Sequence, residues 1–519
     1  MSLADARSIR FSLPRLLDGF TDTERLPAIE VGGLVHDSRE VRRGDLFLAL
    51  KGQHVHGMSH AEQAIRQGCA AIVFEPGGGG ETLARDVAGT PCIGVESLAR
   101  KLGFIADRFF GEPSRHFPAV LGITGTNGKT SCSHFLAQAL SRRWPGAVLG
   151  TLGWGSPGAL QATAHTTPDA IEVHRILLDL HKQGFKSIAM EASSHGLEQG
   201  RLNGVRIKGA LYTNFTRDHL DYHETMGAYL EAKLRLLDWP GLEFVAFNAD
   251  DSSAGAILSR KPAGVRAIGF TKAMSGERSV ASENSTNQAS DTGHSLLRVS
   301  DIRHGAEGVS FLAHYEGQSA GIHAPVFGDC NVENLAATLS VLLALGHDLA
   351  EAADALAHTR AVPGRMESFT GQGRRVVVDY AHTPDALSSV LGSLRGHCPG
   401  RLWVVFGCGG DRDRGKRPQM GAIAEALADQ VVLTDDNPRS ENGDEILREI
   451  LSGCRRDDIV RIRNRRDAIA FALERAGAGD LVLVAGKGHE STQEIQGRKY
   501  PFSDRQVIRE ILDRLEVAA

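Results

Sequence analysis

Runs of four to five apolar residues, each closed by a polar, glycine-bearing or charged turn, recur along this chain, and helical patterns lie between them. Near the start, Leu46-Phe47-Leu48-Ala49-Leu50 and Ala70-Ala71-Ile72-Val73-Phe74 read as strands. His60 to Gln67 between them reads as a helix stopped by Gly68. Together they predict a small α/β unit, which Gly111-Glu112-Pro113-Ser114 ends. Further on, Ser187-Ile188-Ala189-Met190, Gly209-Ala210-Leu211-Tyr212 and Phe244-Val245-Ala246-Phe247 alternate with helices, which predicts a largely parallel sheet covered on both faces. A second break falls at Ala361-Val362-Pro363-Gly364-Arg365. After it, Arg375-Val376-Val377-Val378, Leu402-Trp403-Val404-Val405-Phe406 and Leu481-Val482-Leu483-Val484 predict a smaller parallel α/β domain. The polar stretch Ser275 to His294, rich in Ser, Asn and Gly, reads as a surface excursion with little order. The expected fold class is α/β in three domains: a small N-terminal one (1–112), a central P-loop ATPase-like parallel-sheet domain (113–357) and a Rossmann-like C-terminal one (358–519).

Composition agrees with that division. A chain of 519 residues is too long for one core and suggests about three domains. At 42% apolar, 23% charged and net charge −5 it has the make-up of a soluble globular protein, with no electrostatic reason to bind nucleic acid or an anionic membrane. Any phosphate-rich ligand must then meet a local basic site. No apolar run approaches membrane-spanning length, and the first residues lack the layout of a secretory signal. Seven scattered cysteines without metal or redox spacing point to reduced thiols. The expectation is a cytoplasmic monomer.

Chemistry first shows after Ala119-Val120-Leu121. Gly125-Thr126-Asn127-Gly128-Lys129-Thr130-Ser131 follows a strand-like run and opens a helical pattern reaching Leu140. Glycines let backbone N–H groups approach phosphate oxygens, the helix start adds partial positive charge, Lys129 neutralises phosphate, and Thr130 can hold a magnesium ion. ATP is the expected ligand. One departure stands out: Ile123 occupies the place where a phosphate loop ordinarily has its first glycine.

Two polar clusters follow later strands: Glu191-Ala192-Ser193-Ser194-His195-Gly196-Leu197, and Thr213-Asn214-Phe215-Thr216-Arg217-Asp218-His219-Leu220-Asp221-Tyr222-His223. Ligands collect beyond the carboxyl ends of parallel strands, so Glu191 and His219 are candidates to reach a metal beside Thr130. These runs, with Thr166-Thr167-Pro168, His36-Asp37-Ser38-Arg39, Gly44-Asp45-Leu46-Phe47 and Asp379-Tyr380-Ala381-His382-Thr383-Pro384, resemble the Mur ligase family, which builds the peptide stem of bacterial cell-wall precursor. The likeness spans nearly the whole chain. Within the family it looks most like the members that add the third residue of the stem.

The resemblance implies the remaining roles. Asp436-Asn437-Pro438-Arg439 is similar to the motif that recognises meso-2,6-diaminopimelate, with Arg412, Gly486 and Glu490 as further contacts. A guanidinium forks onto the acceptor's distal carboxylate, and Glu490 suits its ammonium. A buried Arg439 with no carboxylate to meet would be left unpaired, so L-lysine should be rejected. Ser38, Gln53, His54 and Val55 match contacts to the uridine end of UDP-N-acetylmuramoyl-L-alanyl-D-glutamate, and Thr166, Thr167, Ser193, Gln199 and Arg201 match contacts to the same substrate in the central domain. Gln53-His54-Val55 replaces the commoner His-Gln-Ala, and His165 stands where some members carry Asn. Asn331 and Asn334 resemble base contacts of ATP; Arg365 and Asp379 resemble phosphate and ribose contacts. Lys233 falls at the family's carbamylated lysine, which with Thr130, Glu191 and His219 would ligate Mg2+. The implied reaction converts the D-glutamyl carboxylate to an acyl phosphate and then to an amide, with Lys129, Glu191, His219 and Lys233 as catalytic groups. The rivals are an L-lysine-adding ligase, a folylpolyglutamate synthase-like ligase and a nucleotide-gated binding protein without turnover.

Overall fold

Every strand named above exists in the computed structural model, with ends shifted by at most one or two residues. It describes residues 9–52, 54–272, 293–305, 307–371 and 373–517, so the expectations for Gln53 and for 275–292 lie outside the described residues. The chain packs as two units, one comprising residues up to Gly125 with Arg143–Val245 and Gly255–Val265, the other Thr126–Arg142, Ala246–Ala254 and everything from Arg266.

In the first unit, strands Leu34–Val35, Leu46–Ala49, Ala71–Phe74 and Cys92–Gly94 pair in that order, all parallel. Their residues alternate between two cores, as a period of two requires. Leu46, Leu48, Ala71 and Val73 meet Leu13, Leu16 and Leu17 and the Leu98–Phe109 helix, while Phe47, Ala49, Ile72 and Phe74 meet Met58, Ala61 and Ala64. That helix buries Leu98, Leu102, Ile105, Ala106 and Phe109, one stripe at helical spacing.

A second sheet of the same unit sets parallel strands Gly146–Gly150, Ser187–Glu191, Ala119–Thr124 and Gly209–Tyr212 side by side. Gly153–Ser156 and Ala159–Gln161 extend its edge antiparallel. Glu191 lies opposite Ile123, and Tyr212 opposite Thr124. The register therefore brings Gly150, Glu191, Gly125 and Thr213 to one carboxyl edge.

Among the elements of the second unit are the helix Lys129–Leu140, the helix Asp329–Ala344 and two larger groups of paired strands. In one, Arg266–Lys272 runs parallel to Ser295–Gly305, which continues antiparallel through Gly308–Tyr315 and Gln318–Ala324. The parallel strands foreseen in the sequence are present; the antiparallel pairs from Ser295 onward were not foreseen. These strands expose one face, so their residues alternate instead of forming the continuous apolar runs that mark parallel strands.

The other sheet orders Glu367–Gly371, Arg374–Asp379, Leu481–Ala485, Leu402–Phe406, Gln430–Leu433 and Val460–Arg461; the first pair is antiparallel and the rest parallel. Val377, Val404, Phe406 and Leu483 fill one face, and Val376, Val378, Val405 and Val484 the other. Among the described residues no helix is long and apolar enough to cross a membrane.

Candidate active site

Ile123 is still within its strand and fully buried, which accounts for the departure from the usual phosphate loop: here the turn opens at Gly125. Gly125 has φ 144°, and a Cβ on it would come within 1.9 Å of the Thr213 hydroxyl oxygen, so only glycine fits. Gly128, at φ 84°, caps the helix that begins at Lys129. Lys129 Nζ donates to the Thr126 carbonyl at 2.8 Å, folding the ammonium back over its own loop. Thr130 and Ser131 are buried in the first turn.

Glu191 is buried where its strand ends. Its Oε1 accepts from the Thr151 N–H at 2.8 Å and its Oε2 from the Thr151 hydroxyl at 3.1 Å, while that hydroxyl lies 3.0 Å from Thr166 Oγ1. Thr167 donates to the Glu191 carbonyl at 2.7 Å and pairs with the Ser193 hydroxyl at 2.9 Å. Arg201 donates to the Thr167 carbonyl at 2.7 Å and to Gln199 Oε1 at 2.9 Å. Five residues matched by resemblance to one substrate thus lie on two hydrogen-bonded branches that meet at Glu191, Thr166 through Thr151 and the other four through Thr167. Thr151, which aims that carboxylate, escaped the sequence reading.

Lys233 is buried, its Nζ donating to the Gly125 carbonyl at 2.7 Å and lying 4.3 Å from the Tyr229 ring centre. It is no solvated helix-face lysine. His219 adopts φ 53°, with its ring 5.0 Å from that of His195. Burial, then the neighbouring His219, His223 and Arg201, lowers the His195 pKa to about 4. Among the described residues no three His, Cys, Asp or Glu side chains gather as a metal site. The expected magnesium set has only Glu191 and His219 of those types and depends on Thr130 and Lys233 for the rest.

Of the residues expected to meet uridine, Ser38 is buried and donates to Gln63 Oε1 at 2.9 Å, whereas His54 and Val55 are exposed. A cleft of about 830 Å³ lined by His36, Arg39, Arg42, Phe110 and Arg175 opens beside the Ser38 segment.

In the second unit, Asn334 Nδ2 donates to Asn331 Oδ1 at 3.1 Å, and Cys132, on the helix after the phosphate loop, donates to Asn334 Oδ1 at 3.4 Å. The expected base contacts are therefore packed against that helix. Asp379 accepts from the Met366 and Ala381 N–H groups, both at 2.8 Å, and burial raises its carboxyl above the usual range. Arg365 lies 4.5 Å over the Tyr380 ring, and its buried Nε has no hydrogen-bond partner among the described residues.

Arg439, at φ 51°, sends Nη1 to the Gly410 carbonyl at 2.7 Å, with Nε 3.5 Å from Glu494 Oε2. The side chain is 24% exposed, so the guanidinium is less buried than expected, and the Gly410 carbonyl already takes one of its N–H groups. Arg412 is exposed beside it, both arginines flanking Gly409. Asp436 lies where a Cβ on Gly486 would approach to 2.4 Å, so Gly486 leaves room for that carboxylate. Asn437 Nδ2 and Lys487 Nζ both donate to Glu490 Oε2, at 2.9 and 2.7 Å. Burial works to raise the Glu490 pKa, but the Lys487 ammonium, the Asn437 amide and His489 together hold the carboxyl below its usual range. Lys487 was passed over in the sequence; its flanking glycines, both at positive φ, were the available signal.

Family models match three stretches: "Mur ligase family, catalytic domain" at 30–109, "Mur ligase middle domain" at 123–342 and "Mur ligase, glutamate ligase domain" at 364–488. The chain is 44% identical over 505 residues to the UDP-N-acetylmuramoyl-L-alanyl-D-glutamate--2,6-diaminopimelate ligase of Alkalilimnicola ehrlichii, covering 96% of this chain and 97% of the relative. It is 45% identical over 486 residues to the protein of the same name from Ralstonia nicotianae, 92% of each being covered. A solved structure of a ligase of that name aligns with TM-score 0.70 and 34% identity over 98% of this chain and all of the other. The chain belongs to the Mur ligase family.

Proposed function

We propose that this chain is the ATP-dependent amide ligase that joins meso-2,6-diaminopimelate to UDP-N-acetylmuramoyl-L-alanyl-D-glutamate in peptidoglycan precursor synthesis. The observation that carries the reading is full-length likeness, above 40% identity, to ligases named for those two substrates. The substrate's D-glutamyl carboxylate attacks the γ-phosphate of ATP, giving an acyl phosphate and ADP. The acceptor's amine then attacks that carbonyl, and phosphate departs as the amide forms. A carboxylate cannot expel oxide, which is the reason ATP is needed.

The chain's own work is positioning and charge neutralisation. Lys129 exchanges the Thr126 carbonyl for a phosphate oxygen. Gly125 to Ser131 cradle the triphosphate, Asn331 and Asn334 take the base, and Arg365 and Asp379 take phosphate and ribose. Thr166, Thr167, Ser193, Gln199 and Arg201 hold the muramoyl dipeptide, and Ser38, Gln53, His54 and Val55 its uridine end. Oxygen donors suit Mg2+, and the pre-oriented Glu191 carboxylate fits it. Thr130, Glu191, His219 and carbamylated Lys233 would hold such ions, which when bound offset phosphate charge. Carbamylation requires a neutral amine, so Lys233 must give up its ammonium contact with the Gly125 carbonyl.

The domains are assigned as 1–112, 113–357 and 358–519, in a cytoplasmic monomer. An acceptor panel read by ADP release tests the assignment. Turnover with diaminopimelate, dependent on the UDP-dipeptide, is expected; preference for L-lysine or a folate substrate would overturn it.

A further inference from the structure

Lys487 has no role in the reaction described above. Its side chain is fully enclosed, yet it carries a charge. Nζ donates to Asn437 Oδ1 at 3.0 Å and to Glu490 Oε2 at 2.7 Å, and Asn437 Nδ2 donates to that same Oε2. Two donors thus converge on one oxygen of a carboxylate that is 30% exposed. Asn437 Oδ1 also accepts the Glu494 N–H at 2.9 Å, and Glu494 in turn accepts the Arg439 N–H through its carbonyl at 3.0 Å. The Asn437-to-Arg439 turn thus has bonds through Glu494 that do not involve Lys487, whereas Glu490 Oε2 is held by the Lys487 ammonium and the Asn437 amide.

The loop bearing Lys487 is held tightly. Gly486 and Gly488 bracket it at φ 112° and 52°, and a Cβ on Gly488 would lie 2.7 Å from the Gly364 carbonyl oxygen. Lys487 consequently cannot swing out to solvent without moving its backbone. An apolar residue would fill the same space at lower desolvation cost. What the ammonium adds is a fixed rotamer for Glu490.

We propose that Lys487 is a positioning residue for the amino-acid acceptor: it anchors Glu490 through Oε2 so that Oε1 is presented to the acceptor's remote ammonium, at a set distance from Arg439. This rests on the diaminopimelate reading above. Lys487 acts through Glu490 and touches no substrate.

The test compares K487M, E490Q and the K487M/E490Q double variant by ADP release, varying diaminopimelate and ATP separately. K487M is expected to raise the diaminopimelate KM about 10- to 100-fold and to change the ATP KM less than about twofold. The double variant should be no worse than E490Q alone, because the lysine's effect passes through the glutamate. An unchanged acceptor KM in K487M, equal rises for both substrates, or additive losses in the double variant would each overturn the role. Should K487M fail to fold, the double variant, which buries no lone charge, decides: a KM equal to that of E490Q supports the role and a further tenfold rise refutes it. Wild-type protein in the same assay separates the two readings. No wild-type turnover with diaminopimelate sinks the acceptor assignment, whereas normal wild-type turnover with an indifferent K487M sinks the role of Lys487 alone.

Discussion

The roles proposed for Lys129 and Arg439 rest on their sequence neighbours. Lys129 closes on the Thr126 carbonyl, a contact that a phosphate oxygen can replace. Lys129→Ala should lower ADP formation by at least about 10²- to 10³-fold, the scale set by removing one pre-organised charge-stabilising group; near-normal turnover would refute its role. Arg439→Ala should raise the diaminopimelate KM about 10- to 100-fold while leaving that for ATP within about twofold. Equal effects on both substrates would count against it. Lys487 was not legible in this way. A lysine's fate depends on what surrounds it, and one of its partners, Asn437, lies 50 positions away in the chain.

Elements place these residues through close approach of backbone. Gly150 ends its strand beside Glu191, and a Cβ there would come within 2.2 Å of Glu191 Oε1. Gly150→Ala should therefore displace the carboxylate and cut turnover about tenfold or more, with the circular dichroism spectrum unchanged; full activity would show that Glu191 needs no fixed position. At the other sheet, Arg465 forks onto Asp504, both fully buried, and donates to the Ala485 carbonyl at the end of a central strand. Arg465→Met leaves a buried carboxylate alone and should cost about 3–5 kcal/mol, measured by urea unfolding. A loss below about 1 kcal/mol would mean water or a rearranged partner reaches Asp504. The strands legible in the sequence were those buried on both faces. Those from Ser295 to Ala324 were not, since one exposed face dilutes the apolar signal.

Across the whole molecule, buried neutral imidazoles set the response to acid. Burial lowers His134, His397 and His489 from the ordinary 6.5 to about 4. The unfolded chain takes up these protons as pH falls below 6.5, while the folded chain resists until about 4. Their contribution to stability is thus complete above pH 6.5 and is lost progressively as pH falls to about 4. The urea midpoint should drop between pH 7 and pH 5; a constant midpoint would contradict the burial of these rings.

Short-range pattern alone settled the α/β class and the strand, turn and helix around Lys129, because apolar runs, glycines and charged neighbours act locally. Tertiary structure decided which polar groups meet. Thr151 on Glu191, Lys487 beneath Glu490 and the partial satisfaction of Arg439 all arise from strand register and loop crossings between distant segments. Burial turns such meetings into fixed geometry, since a polar group removed from water must find its partner within the fold.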